Sequence, residues 1–127
     1  MPKNMLPNQV QNEPVLRPRV RLTIHGSERF FGPGICELLE KIDETGSIRA
    51  AAAQMEMSYT KAWRILNRAE QEMHVSLVVR VNGGKNGGRS DLTGEGRAAV
   101  LAFREMEEVL TRESEVLLEQ YLEIFQK

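Results

Sequence analysis

Residues 47–73 read SIRAAAAQMEMSYTKAWRILNRAEQEM. Ser47 can cap a helix, and behind it Ile48, Ala51, Ala52 and Met55 recur at helical spacing over barely two turns. Residues 50–53 are four consecutive alanines, which favour helix and carry almost no bulk, so a second helix can cross closely and steeply. Glu56 and Met57 interrupt the pattern. Ser58 can then cap a helix running to about Met73, with Ala62, Ile65, Leu66, Ala69 and Met73 facing inward. Two helices joined by about three residues have the spacing of a helix-turn-helix, whose second helix enters the major groove of DNA.

Upstream, Ile35, Leu38, Leu39 and Ile42 recur at helical spacing behind Pro33, and Gly46 suits the C-terminal cap, which predicts a preceding helix. Residues 20–25 alternate Val20, Leu22, Ile24 with Arg21, Thr23, His25, the period of a short edge strand. Residues 1–19 hold four of the five prolines and several amides, a composition that fills no core and predicts a flexible leader. Downstream, residues 77–81 read LVVRV, mostly apolar and β-branched. The tract NGGKNGGR (82–89) and Ser90 to Leu92 complete a hairpin whose glycines allow a pliable, basic wing.

Thr93 can cap a last helix to about Phe125, roughly 50 Å at ~1.5 Å per residue, more than a chain of 127 residues can bury alone. Phe103, Met106, Leu110, Leu117, Tyr121 and Ile124 form an apolar seam on it, interrupted by Glu113, and predict pairing with a second copy through a loose helix pair. The expected fold is mainly α with a small β hairpin: a winged helix-turn-helix (20–92) followed by a long dimerisation helix (93–127).

The formal net charge of −1 conceals an asymmetry: residues 1–97 sum to +3 and residues 98–127 to −4. Residues 58–97 alone carry 7 basic and 4 acidic side chains, so the positive field gathers on the segment assigned to DNA. No apolar run spans a membrane and no secretion signal opens the chain, so the cytoplasm is the expected location. Cys36 is the single cysteine, which excludes an internal disulfide and leaves a small buried side chain. His25 and His74 lack ligand partners at useful spacing, no catalytic constellation is visible, and neither metal nor cofactor is expected.

On a helix starting at Ser58, residues Thr60, Lys61, Arg64 and Arg68 lie opposite the apolar stripe. Tyr59, Thr60, Lys61 and Arg64, near the N-terminus, are expected at base edges, with Arg64 able to fork onto a guanine; Arg68 suits a phosphate. Ser47 and Ser58, at helix N-termini, suit phosphate oxygens or act only as caps, and Arg49 lies close by. Lys85, Asn86 and Arg89 on the wing face the minor groove or its phosphates. Trp63, beside the apolar stripe, reads as core more than as a stacking platform.

Ser47, Ala51, Ala52, Met55, Ser58, Ala62, Leu66 and Glu70, followed by Leu77, Arg80, Leu92, Thr93 and Gly96, resemble the N-terminal winged helix of LysR-type regulators. Met57-Ser58-Tyr59 with Ala62-Trp63 and the wing GGKNGG (83–88) narrow the resemblance to ModE-like molybdate-dependent regulators. It implies a prokaryotic, enzymatically inactive transcriptional regulator that binds operator DNA as a dimer. ModE-like proteins also carry C-terminal oxyanion-binding domains; the sequence ends with its long helix, so binding of molybdate or another oxyanion does not carry over.

Two rival functions remain. Residues 83–90 read Gly, four residues, Gly, Arg, Ser, one substitution from a phosphate-binding loop, which would make the chain a nucleotide-binding enzyme. Arg89 in place of lysine, a delayed helix and the lack of βαβ units weigh against it. A winged helix can also be a protein–protein adaptor without specific DNA binding, and a salt-insensitive interaction would reveal one.

Overall fold

The computed structural model describes residues 15–81 and 88–126. In chain order the elements are β1 (Ile24–His25), β2 (Arg29–Phe31), α1 (Pro33–Thr45), α2 (Ile48–Gln54), α3 (Tyr59–Met73), β3 (Val78–Val81), β4 (Arg89–Leu92), α4 (Gly94–Gln120) and α5 (Leu122–Phe125). The described residues fall into two compact units, Arg21–Glu108 and a second that takes in residues 15–20 and 109–126. The architecture is mainly helical with two small hairpins, a winged helix-turn-helix followed by a long helix.

Within Arg21–Glu108, α1 supplies the centre of the core. Pro33 opens it with a preset φ, and Gly46, at φ 72°, closes it by donating its N–H to the Ile42 carbonyl at 2.8 Å. Leu38, Leu39 and Ile42 are wholly buried beside Ile48 and the almost bare surface of Ala51 and Ala52 on α2. From α3 come Ala62, Leu66 and Ala69, with Ile65 and Met73 partly buried at the margin. Each fully buried Leu or Ile contributes about 1.5–3 kcal/mol of apolar transfer free energy.

The alternation of residues 20–25 predicts one strand, whereas only Ile24–His25 forms one, pairing antiparallel with β2. The sequence pattern misses β2 because three residues, Arg29, Phe30 and Phe31, are too short to show a period. The second hairpin pairs Val78 with Leu92 and Val81 with Arg89, with Lys85 and Asn86 outside the described residues. A bond from the Ser90 N–H to the Gly46 carbonyl, 2.8 Å, ties it to the end of α1.

Thr93 caps α4: its hydroxyl accepts the Gly96 N–H at 2.9 Å and donates to the Ser76 carbonyl, while its own N–H donates to Leu77. Gly96 lies so close to the Leu77 carbonyl that a Cβ would run into the oxygen. The helix differs from expectation in two ways. It runs 27 residues, roughly 40 Å, and breaks at Tyr121, whose N–H is shared between the Leu117 and Leu118 carbonyls before α5 begins, so it does not continue unbroken to Phe125. Phe103, assigned to the dimer seam, is 1 % exposed and packs on Phe31 with ring centroids 5.2 Å apart, so its burial goes to the core of its own chain.

Candidate nucleic-acid interface

The α2–α3 pair is built by local hydrogen bonds. The Ser47 hydroxyl accepts the Ala50 N–H at 2.9 Å and the Ser58 hydroxyl accepts the Lys61 N–H at 3.0 Å, so both serines serve as caps. Between the helices the chain turns at Glu56, in the left-handed region at φ 57°, and the Met57 N–H returns to the Ala52 carbonyl at 3.0 Å. The small faces of Ala51, Ala52 and Ala62 are fully buried where the helices meet, and Thr60, Lys61, Arg64 and Arg68 lie exposed on the outer surface of α3.

On one flank of α3, facing the second hairpin, lies a layer of cations and aromatic rings. The Arg49 guanidinium sits 4.2 Å above the Tyr59 ring and that of Arg80 5.4 Å from the Trp63 ring. Tyr59 meets Trp63 edge-on at 6.4 Å, and Arg80 donates to the Tyr59 hydroxyl. The Trp63 side chain first, and the cationic Arg80 and Arg49 after it, hold the Tyr59 phenol below its ordinary pKa. Gly46, Ser47, Arg49, Tyr59, Arg80 and Arg89 line a recess of about 260 Å³. Arg89 is held by Asp91 at 2.8 Å, whereas Arg49 and Arg80 have no ion pair among the described residues.

The other flank faces the first hairpin across a cleft of about 510 Å³. Arg21, Arg29, Lys61, Arg64 and Arg68 bring five cations to it, over an apolar floor that includes Phe30 and Ile65. Arg68 is partly neutralised by Glu28 at 3.0 Å.

The residues singled out in the sequence therefore divide between two flanks. Ser47, Arg49, Tyr59 and Arg89 gather on the wing side. Lys61, Arg64 and Arg68 gather on the hairpin side, while Thr60 is exposed between them. Lys85 and Asn86 lie outside the described residues. Sequence reasoning assigned no DNA role to Arg80, Arg21 or Arg29. Arg80 stands opposite Ser90 in the wing ladder, and its outward position could be read only once that register was known. Trp63 packs against the core and carries Arg80 on its face, a structural position as expected. Among the described residues no acidic, histidine or cysteine cluster could hold a metal, and no helix is long and apolar enough to cross a membrane.

Residues 36–97, from the second turn of α1 to the first of α4, match the family "Bacterial regulatory helix-turn-helix protein, lysR family". The chain carries a LysR-type helix-turn-helix domain. It is homologous to the N-terminal part of ModE: it is 41 % identical over 70 residues to the molybdenum transport protein ModE of Azotobacter vinelandii, covering 55 % of this chain and 26 % of that protein. Identity is 29 % over 103 residues to the DNA-binding transcriptional dual regulator ModE of Escherichia coli K12, covering 80 % and 39 %. The chain spans between a quarter and two fifths of the length of the curated relatives it matches. The fold of a solved CbnR_DBD–DNA complex superposes with a TM-score of 0.50 at 24 % identity, over 63 % of this chain and 86 % of that one. The matched family is one of bacterial regulatory proteins.

Proposed function

We propose that this chain is a transcriptional regulator that binds double-stranded DNA sequence-specifically, with α3 in the major groove. The observation that carries the reading is the exposed row Thr60, Lys61 and Arg64 on the first two turns of α3, held outward by the buried stripe Ala62, Leu66 and Ala69. Tyr59 stands beside the row, with Arg49, Arg80 and Arg89 positioned for phosphates on the wing flank, and Lys85 and Asn86 extend the same reading to the glycine-rich wing and the minor groove. The relatives named for DNA-binding transcriptional regulation support the partner class. The cytoplasm is the compartment that fits a DNA-binding partner.

The same reading makes the chain a homodimer. Met106, Leu110 and Leu117 on α4, Tyr121 at its break and Ile124 on α5 are 40–66 % exposed, too much large apolar surface for a free monomer. The division into a winged domain at 20–92 and a dimerisation segment at 93–127 follows, with the first turns of α4 also serving the core through Phe103. Selection of bound sequences from a random duplex pool tests the DNA reading: an enriched motif with two related half-sites is expected, and no enrichment over input would refute it. Light scattering tests the dimer: wild type should have twice the protomer mass and Leu117→Glu should be monomeric, and a monomeric wild type at micromolar concentration would refute it.

A further inference from the structure

The cleft between α3 and the first hairpin gathers more positive charge than the fold needs. Arg21, Arg29, Lys61 and Arg64 line it with no ion pair among the described residues, and of the two carboxylates at the hairpin Glu28 is engaged by Arg68 and Glu72 by Ser27. Like charges collected over the low-dielectric floor of Phe30 and Ile65 repel one another in the free protein. Such an arrangement is relieved by a polyanion.

The hairpin is also held in place. At its turn the Gly26 N–H donates to the Glu28 carbonyl at 3.0 Å, and Ser27 gives its N–H and its hydroxyl to the Glu72 carboxylate at 3.3 and 2.7 Å. Glu72 packs so tightly over Gly26 that a Cβ there would collide with its carboxylate. With the Glu28–Arg68 pair, these bonds fasten the hairpin to the C-terminal half of α3, so Arg29 is presented at a fixed place beside the exposed row. Lys61 and Arg64 belong to both the row and the cleft, which makes the two surfaces continuous.

We propose that the β1–β2 hairpin and the segment leading into it form a second DNA-contacting element, in which Arg29 on β2 and Arg21, three residues ahead of β1, take backbone phosphates of the strand bordering the groove that α3 enters. The proposal rests on the DNA-binding reading above and adds to it a positioning clamp that carries no base information. Glu72 is its positioning residue.

The test measures affinity of the full chain for a random-sequence duplex and for a selected one, from about 50 to about 200 mM salt. Arg21→Ala and Arg29→Ala should each flatten the slope of log affinity against log salt by about one unit, so that this rise in salt weakens the variant about 3.5-fold less than wild type. Both should lose affinity for the two duplexes by the same factor, leaving discrimination intact. Arg29→Lys should keep the wild-type slope, and Glu72→Ala, folded by circular dichroism, should flatten it as the arginine variants do. Wild-type slopes in Arg21→Ala and Arg29→Ala, with Arg64→Ala still losing discrimination, would overturn the clamp and leave the DNA reading standing. Calorimetric binding of inorganic pyrophosphate to wild type but not to Arg29→Ala, together with unchanged DNA slopes, would also overturn it, because the cleft would then serve a small anion.

Discussion

Gly96 tests whether the join between the wing and the last helix is read correctly. Changing Gly to Ala inside a helix ordinarily stabilises by about 0.5–1 kcal/mol, through lower backbone entropy in the unfolded chain. At Gly96 the new methyl would enter the Leu77 carbonyl oxygen, and it would also lie 3.2 Å from the carbonyl carbon and 3.4 Å from Cα, all backbone atoms that cannot swing aside. Overpacking of this kind costs about 1–3 kcal/mol. The Leu77 carbonyl also accepts the Thr93 N–H at 2.9 Å, and weakening that bond adds up to about 1 kcal/mol. Gly96→Ala should therefore lose about 1–3 kcal/mol net, a fall in Tm of about 4–8 °C for each kcal/mol in a domain of this size, at fixed protomer concentration. Gly94, two residues earlier, has nothing within 4 Å of an added Cβ, so Gly94→Ala should hold or gain up to about 0.5–1 kcal/mol. Urea and thermal unfolding of the pair give the answer. A Gly96→Ala protein as stable as wild type would refute the close approach of α4 to the wing.

Burial pushes the Cys36 thiol from 9.0 up to about 11, with Glu40 and Glu107 adding to the effect and Arg104 opposing it. A folded pKa raised above the unfolded one means that the associated stability is complete below pH 9 and is lost as pH rises toward 11. Wild type should therefore lose more stability than Cys36→Ala between these limits in urea titrations, and parallel pH profiles would contradict the burial. Ser58→Ala, which removes the cap of α3, should cost about 1 kcal/mol by chemical denaturation. A change within error would mean that the hydroxyl does not hold the helix start.

The helices were legible where their punctuation and their apolar faces agree. Pro33 and Gly46 bracket α1, Ser47 and Ser58 begin the next two helices, and the stripe Ala62, Leu66, Ala69 is buried as the period requires. β2 was not legible, because a three-residue strand shows no periodicity and is fixed by its partner at Ile24. Phe103 has the spacing of a partner-facing residue, yet only the tertiary position of Phe31 decides that it turns to the core. The break at Tyr121 has no glycine or proline to announce it.

The candidate site was legible as far as one helix can carry it. The exposed face of α3 follows from helical geometry alone, which is why Lys61 and Arg64 could be named. The cations opposite it could not: Arg80 arrives through the register of the wing, and Arg29, with Arg21 just ahead of β1, through a hairpin fastened by Glu72, contacts separated in sequence by tens of residues. The bond between Arg68 and Glu28 is of the same long-range kind.

The central claim is that α3 reads DNA with the side chains it turns outward. Affinity of Arg64→Ala for a selected duplex measures this most directly, with circular dichroism showing that the exposed substitution leaves the fold intact. The account predicts a loss of about 1–3 kcal/mol on the selected sequence, larger than on a random duplex, so that discrimination falls. Binding of the selected sequence at full wild-type strength and discrimination would contradict it.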